Sequence, residues 1–216
     1  MKQVSAIRHW PKQDQPATRL LACGPAALAD CEVLALLLPI AGKDNAVNRA
    51  RAMLALHGSI SGLCASADAP ASVRAAQELA RRMLLQDLGA AKDALASPRA
   101  VRDFLRITLS GKEREVFCML CLDAQHRVIS TAELFQGTLT QTSVYPREVV
   151  KHALAQNAAA VIFAHNHPSG VAEPSHADEM LTRSLKSALA LVDVQVLDHF
   201  IIAGAQTMSF AERGLL

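Results

Sequence analysis

The pattern of apolar and polar residues divides the chain into two parts. The first part contains four stretches with the apolar spacing of a helix, separated by glycine and proline, at about 17–23, 30–38, 44–57 and 71–88. We therefore predict a small all-α module over residues 17–88. Residues 1–16 are mostly polar, include Pro11 and Pro16 and lack periodicity, so we predict a mobile leader there.

The second part alternates two kinds of pattern. Short apolar runs predict strands near 115–122, 127–135, 158–165, 194–203 and 206–210. Helical spacing predicts helices at about 98–109, at 146–157 and from residue 175 to about 190. Strands that alternate with helices favour a sheet covered by helices on both faces, so the predicted fold class is α/β. We assign this domain to residues 97–216 and a linker to residues 89–96.

Composition narrows the class of protein but not its function. The chain has 216 residues, 51% of them hydrophobic, which suits one large domain or two modest ones. Its formal net charge is +2, and no stretch approaches the ~18 apolar residues of a membrane helix. The first ten residues lack the apolar run of a secretory signal, and five irregularly spaced cysteines do not form a disulfide framework. These features predict a cytoplasmic protein.

Cys118 and Cys121 have the C-x-x-C spacing that can bind zinc or carry out redox chemistry. Both lie within a predicted strand, where residues i and i+3 point to opposite faces. We therefore predict that these two thiols are buried as small apolar groups and do not form a site.

Two histidines separated by one residue follow the apolar run 158–164. His165 and His167 would project to the same side of a strand, because side chains alternate along it. After a turn, Ser175 begins a helix, and Asp178 lies in its first turn. Two imidazole nitrogens and one carboxylate oxygen suit zinc, with the fourth position left for water. The spacing predicts a catalytic zinc site.

The same residues permit other interpretations. Ser175-x-x-Asp178 has the pattern of a helix N-cap followed by an acidic residue, and two histidines beside a turn can be ordinary surface residues. Two histidines and a carboxylate also form the facial triad of non-haem iron oxygenases. The combination of all these residues in this order favours a metal site.

Several short sequence segments in the second part resemble those of a known family. The run from His165 to Gly170, followed by Pro174-Ser175 and by Asp178, resembles the zinc-binding motif of the JAMM (MPN-type) metalloprotease domain. Further stretches resemble bacterial RadC-like proteins, at 133–139, 143–151, 197–199 and 209–216. The resemblance is dense over residues 97–216 and looser over residues 17–60.

This resemblance implies a three-layer α/β/α domain with a mixed sheet, of the deaminase-like architecture. It implies zinc as the cofactor, held by His165, His167 and Asp178. The expected reaction is hydrolysis of a peptide or isopeptide amide by a zinc-activated water. The expected partner is a protein or peptide substrate, and its identity and the oligomeric state are left open.

The resemblance also implies catalytic residues beside the ligands. Ser175 matches the serine that helps to position or stabilise the oxygen on which charge develops. The general-base glutamate of the family lies just before an apolar strand, and Glu115 occupies that position here. Glu113 and Glu133 are the alternatives for this base.

A second hypothesis is a DNA-associated accessory module in which the zinc domain serves as a scaffold. In RadC-like proteins the N-terminal region resembles a helix-hairpin-helix pair, which grips DNA phosphates with the amides of a glycine-rich hairpin. Here no Gly-x-Gly hairpin precedes the last helix, since residues 66–70 lead directly into 71–74. Arg74, Arg81 and Arg82 could form a basic face, although a solvated helix surface explains them as well. We therefore expect weak or no sequence-specific DNA binding.

Asp198-His199 lies within the predicted strand 194–203. This pair could orient one of the ligand histidines. It could equally be an ordinary buried pair joined by a hydrogen bond, and the sequence leaves both interpretations open.

Overall fold

Residues 7–39, 45–90, 98–137 and 144–216 are described by a computed structural model of the chain. The chain forms two compact units, Met1–Glu78 and Leu79–Leu216. This division falls inside a long helix, Ala71–Ala90, so residues 89 and 90 of the predicted linker are helical. Residues 91–96 of that linker lie outside the described residues.

The first unit is helical, as predicted. Its helices are α1 (Pro16–Cys23), α2 (Asp30–Leu37), α3 (Ala46–His57), α4 (Ile60–Ala65) and the first part of α5 (Ala71–Ala90). Four of them match the predicted stretches closely. The short helix α4 was not predicted, because six residues are too few to establish a periodicity. It begins where the Ser59 side chain accepts a hydrogen bond from the backbone N–H of Gly62.

The core of the first unit reaches into the predicted leader. Its buried residues include Leu34, Val47 and Leu63. Ile7 and Trp10 pack against this core, next to two short 3-10 turns at Ile7–His9 and Lys12–Asp14. Isolated apolar residues give no periodic signal, which is why the pattern did not indicate this packing.

The second unit contains a five-stranded mixed sheet. Helix α6 (Pro98–Leu109) is followed by β1 (Val116–Leu122), β2 (Val128–Gln136), α7 (Pro146–Ala155), β3 (Ala160–Asn166), α8 (His176–Ala190), β4 (Gln195–Ala203) and β5 (Gln206–Ser209). The strand order is β2-β1-β3-β4-β5. Only β3 and β4 pair in parallel, and the other three pairs are antiparallel.

Helices cover both faces of this sheet, which confirms the three-layer α/β fold. On one face Phe104 and Leu105 of α6 pack against Leu120 and Ile162. On the other face α7 and α8 cover a second buried cluster, whose members include Val149, Leu185, Phe117, Met119 and Phe163. Residues of β1 alternate between the two clusters, as a strand with two covered faces requires.

The two cysteines of β1 lie where the sequence predicted them. Cys118 belongs to the cluster under α6, and Cys121 belongs to the cluster under α7 and α8. Burial raises the pKa of the Cys118 thiol to about 12, so it stays protonated and unreactive. Their placement on opposite faces confirms that they do not form a joint site.

The sheet brings the end of β3 beside the beginning of β1. Phe117 of β1 pairs with His165 of β3, the last pair of that antiparallel ladder. On the other side of β3, His165 pairs with Ile201 of β4.

Among the described residues, no helix is long and apolar enough to cross a membrane.

Candidate metal centre

His165 and His167 face one point at the end of β3. Their Nε2 atoms lie 2.9 Å apart. The side chain of His165 is almost fully buried, whereas that of His167 is 17% exposed. Because the two residues alternate with Asn166 along the strand, both imidazoles project to the same side, as the spacing predicted.

Asp178 approaches the two histidines from the first turn of α8. Its Oδ1 lies 3.3 Å from His165 Nε2, and its Oδ2 lies 3.6 Å from His167 Nε2. One ligand atom from each of the three residues lies within 4.8 Å of the other two. The structure therefore brings together the three side chains predicted as ligands.

The carboxylate of Asp178 is fixed by the start of its own helix. The backbone N–H of Ser175 donates to Asp178 Oδ2 at 2.7 Å, and the Ser175 hydroxyl donates to the same oxygen at 2.6 Å. The backbone N–H of Asp178 in turn donates to Ser175 Oγ. These bonds form a capping box. The cap leaves Asp178 in reach of the histidines, so the helix-cap interpretation is compatible with the ligand interpretation. The other oxygen, Oδ1, is left to face His165.

The histidines keep Asp178 ionised despite its burial. Burial by itself disfavours the charged carboxylate, but its interactions with His165 and His167 outweigh this effect. The pKa of the Asp178 carboxyl therefore lies well below its usual range. At neutral pH this side chain is a carboxylate.

A backbone carbonyl orients the ring of His167. His167 Nδ1 lies 2.9 Å from the carbonyl oxygen of Val171. A carbonyl can only accept, so Nδ1 carries the proton, and the neutral ring presents an Nε2 lone pair to the site. In the protonated ring Nε2–H can donate to Asp178, and this hydrogen bond raises the pKa of His167 against the opposing effect of burial; the charges of Asp178 and Glu115 add to the increase.

His199 and Thr182 orient the ring of His165 through a chain of two hydrogen bonds. His165 Nδ1 lies 2.8 Å from His199 Nε2, and His199 Nδ1 lies 2.7 Å from Thr182 Oγ1. The Thr182 hydroxyl donates to the backbone carbonyl of Asp178 at 2.7 Å, so it accepts from His199. Burial, followed by the charge of His165, lowers the pKa of His199 and keeps this ring neutral.

This chain of hydrogen bonds determines which nitrogen of His165 faces the site. Since the proton of His199 is on Nδ1, its Nε2 accepts from His165 Nδ1. In the neutral ring of His165, Nε2 then carries the lone pair. The sequence left open whether the Asp198-His199 pair orients a ligand, and His199 alone does so.

Asp198 has a different task. It accepts hydrogen bonds from the backbone N–H groups of His199 and Ala211 and from the Ser209 hydroxyl. Burial raises its pKa despite these bonds. Asp198 fastens the C-terminal turn to β4 and has no contact with the three candidate ligands.

The donor set fits a cation. Two imidazole lone pairs converge at 2.9 Å and meet a carboxylate, an electron-rich arrangement that a positive charge at its centre would stabilise. Nitrogen and carboxylate oxygen ligands in a three-residue set are typical of zinc sites that keep an open position. The hydrogen bonds from the Nδ1 atoms of the two histidines to Val171 and His199 are those expected of ligating histidines.

Glu115 immediately precedes β1, near enough to the candidate ligands for its charge to act on His167. It is two residues before Phe117, which pairs with His165, so its position is on the same face as His165. Its charge contributes to the raised pKa of His167, after the larger effect of the Asp178 hydrogen bond. Glu115 is half-buried.

The two alternative glutamates are placed differently. Glu113 is exposed, in the bend before β1. Glu133 on β2 pairs with Cys118, which faces the cluster under α6, so Glu133 is on the opposite face of the sheet from His165. It forms an ion pair with Lys112 at 2.6 Å.

The role predicted for Ser175 at a developing oxyanion stays a prediction. In this conformation the hydroxyl proton of Ser175 is donated to Asp178. To donate to a substrate oxygen, the hydroxyl would have to rotate away from that carboxylate.

In the first unit, the Arg74 side chain donates hydrogen bonds to backbone carbonyls just before α5. Its Nε donates to the carbonyl of Ala69 at 3.1 Å, and a guanidinium N–H also donates to the carbonyl of Ala67. These bonds stabilise the connection between α4 and α5. Arg81 and Arg82 also have interaction partners.

The fold and the site define an α/β protein with a buried His-His-Asp group at the end of a central strand. Two family models match the chain, the RadC-like JAB domain over residues 95–215 and the UPF0758 N-terminal family over residues 7–71. The chain therefore belongs to the RadC family, whose members carry the name UPF0758 proteins.

Curated relatives match the chain along nearly its whole length. The UPF0758 protein of Thiobacillus denitrificans is 56% identical over 225 aligned positions, which cover 98% of this chain and all of that protein. UPF0758 proteins of Nitrosospira multiformis and Aromatoleum aromaticum are each 55% identical with the same coverage. These names state a family and no activity.

Proposed function

We propose that the chain is a zinc-dependent metallohydrolase that cleaves a peptide or isopeptide amide bond. The observation that carries this proposal is the convergence of His165, His167 and Asp178 at the end of β3, with Glu115 on the same face of the sheet. Membership of the RadC-like JAB family supports it.

The protein's own groups would each contribute one part of the reaction. His165, His167 and Asp178 would hold the cation, and the hydrogen bonds to His199 and Val171 would keep both imidazoles in the ligating tautomer. A zinc ion held by three protein ligands supplies Lewis acidity and activates water for attack. Glu115 would take the proton from the attacking water and return it to the leaving amine. Ser175 would stabilise the developing oxyanion after its hydroxyl rotates.

Zinc is proposed over iron because of the glutamate near the ligands and because of the family. An iron oxygenase would use the same three ligand types, but it would need no glutamate base beside them. Elemental analysis of purified protein separates the two metals. Iron in place of zinc would contradict the proposal.

Hydrolysis is tested with mixed libraries of fluorogenic peptides and of lysine isopeptides. We expect the zinc-loaded protein to cleave members of at least one library, and a chelator to abolish this cleavage. Added zinc should restore it. Cleavage that continues in a chelator would contradict metal-dependent catalysis, and no cleavage of either bond class by zinc-loaded protein would contradict the amide specificity.

The second hypothesis, a DNA-associated module, has weaker support. The net charge of +2 provides no strong attraction to phosphates, and Arg74 is engaged with the backbone of its own unit. DNA retention measured at 50 and 200 mM salt tests this hypothesis. Tight binding with a steep salt dependence would favour it over the hydrolase.

A further inference from the structure

Asn166 lies between the two ligand histidines but its side chain points away from them. The carboxamide oxygen accepts a hydrogen bond from the backbone N–H of Val116 at 2.8 Å. The Nδ2 group donates to the carbonyls of Lys112 at 3.2 Å and Arg114 at 3.0 Å. All three partners are backbone groups in the segment that leads into β1. Asn166 is only 3% exposed.

These bonds hold the backbone on both sides of Glu115. Asn166 donates to the carbonyl of Arg114, just before Glu115, and accepts from the N–H of Val116, just after it. The carbonyl of Glu115 itself accepts from the N–H of Gly137 at 2.8 Å. Since Glu115 precedes the first residue of β1 and the ladder between β1 and β3 ends at Phe117 and His165, no backbone pair with β3 holds it.

We propose that Asn166 is a positioning residue that fixes Glu115 relative to the metal site. The same short stretch of β3 presents two ligands on one side and fastens the segment with Glu115 on the other. The distance between the glutamate and the ligands is therefore set by one rigid connection. This inference rests on the proposed function, because it assigns the position of the base in that reaction.

The first measurement is backbone hydrogen exchange in the metal-free protein. We expect Asn166→Ala to increase exchange at amides 113–116 by about tenfold, because Val116 loses a buried acceptor and the segment loses two further bonds. Amides of α8 should be unchanged. Asn45→Ala serves as the control, because it also removes a buried asparagine, in this case the N-cap of α3 in the first unit.

The second measurement is zinc affinity, by competition with a chromophoric chelator, in a double-mutant cycle with Glu115→Gln. A carboxylate close to the site attracts a dication, so Glu115→Gln should weaken zinc binding severalfold. Asn166→Ala should also weaken it severalfold, because Glu115 is no longer held in place. Combined, the two changes should weaken binding no more than Glu115→Gln alone. If the alanine variant does not fold, Asn166→Ser retains a hydroxyl that can accept from Val116.

Each result decides the matter. One such result is that Asn166→Ala reduces zinc affinity by the same factor in the wild type and in the Glu115→Gln variant. Asn166 would then act on the ligands directly, and this result would overturn the inference. Unchanged zinc affinity in Asn166→Ala, with weakened affinity in Glu115→Gln, would overturn it as well. Failure of the wild type to bind zinc would instead contradict the proposed function, and the inference would fall with it.

Discussion

At the scale of single residues, the assignment of Glu115 can be separated from that of its neighbour. Glu115 and Glu113 are two positions apart, but Glu115 is half-buried and its charge contributes to the raised pKa of His167, whereas Glu113 is exposed in the bend before β1. We expect Glu115→Gln to lower kcat for the proposed hydrolysis by about 10²- to 10⁴-fold, the usual contribution of a general base. Glu113→Gln is the matched control and should leave kcat within about twofold. The reverse ranking in steady-state kinetics would move the base to Glu113.

Thr182 tests the chain of bonds that orients His165. Thr182→Val has the same shape but loses the hydroxyl that accepts from His199, so the proton on His199 is no longer directed to Nδ1. We expect zinc affinity to fall by about 10- to 100-fold, the usual effect of removing a partner that orients a ligating histidine. Thr182→Ser retains the hydroxyl and should bind zinc like the wild type. Equal affinity of the valine and serine variants would contradict this role.

The pKa of His167 predicts how zinc binding depends on pH. In the metal-free protein Asp178 raises this pKa above the ordinary value of 6.5. A protonated ring has no lone pair for a metal, so zinc must displace a proton from a growing fraction of molecules as the pH falls. Apparent affinity should therefore decline on acidification, beginning at a pH above 6.5. Isothermal titration in several buffers measures this decline together with the protons released. Affinity that stays constant between pH 8 and pH 6 would contradict it.

Among the helices, the close approach of α4 to the end of α3 allows a test of the first unit. A Cβ added to Gly62 would collide with the backbone carbonyl of His57, an atom that cannot move without disturbing α3. We expect Gly62→Ala to reduce the free energy of unfolding by about 1–3 kcal/mol. Gly89→Ala in α5 meets only an ordinary contact with the Val128 carbonyl and should change it by less than about 1 kcal/mol.

Urea unfolding followed by tryptophan fluorescence measures the effect of Gly62→Ala. Trp10 is the single tryptophan of the chain and packs against the core of the first unit, so its signal reports on that unit. Equal midpoints for the two glycine variants would contradict the predicted collision.

Elements with a strong local signal could be predicted from the sequence. The i, i+2 spacing of His165 and His167 on an apolar run determined both the strand and the face of the ligands. Asp178 followed from the helix start at Ser175. The order of the strands could not be predicted, because it depends on contacts between distant segments. For the same reason the sequence leaves two roles open for His199, which is 34 residues from His165.

Asn166 and Thr182 were not predicted at all. A polar residue between two histidines, or on a helix one turn after Asp178, has no distinctive pattern in the sequence. Each acquires its role only when another segment supplies the partner: the backbone of 112–116 for Asn166, and His199 for Thr182. Glu115 was chosen over two other glutamates through a family resemblance, whereas the structure separates the three by the face of the sheet and by exposure.

For the whole molecule, the proposed activity depends on the presence of a metal at the end of β3. The most direct test is the metal content of purified wild type and of the double variant His165→Ala with Asp178→Ala, measured by elemental analysis. We predict about one zinc per chain in the wild type and none in the double variant, which loses two of three ligands. A folded wild type that contains no metal, and takes up none when zinc is added, would contradict the account.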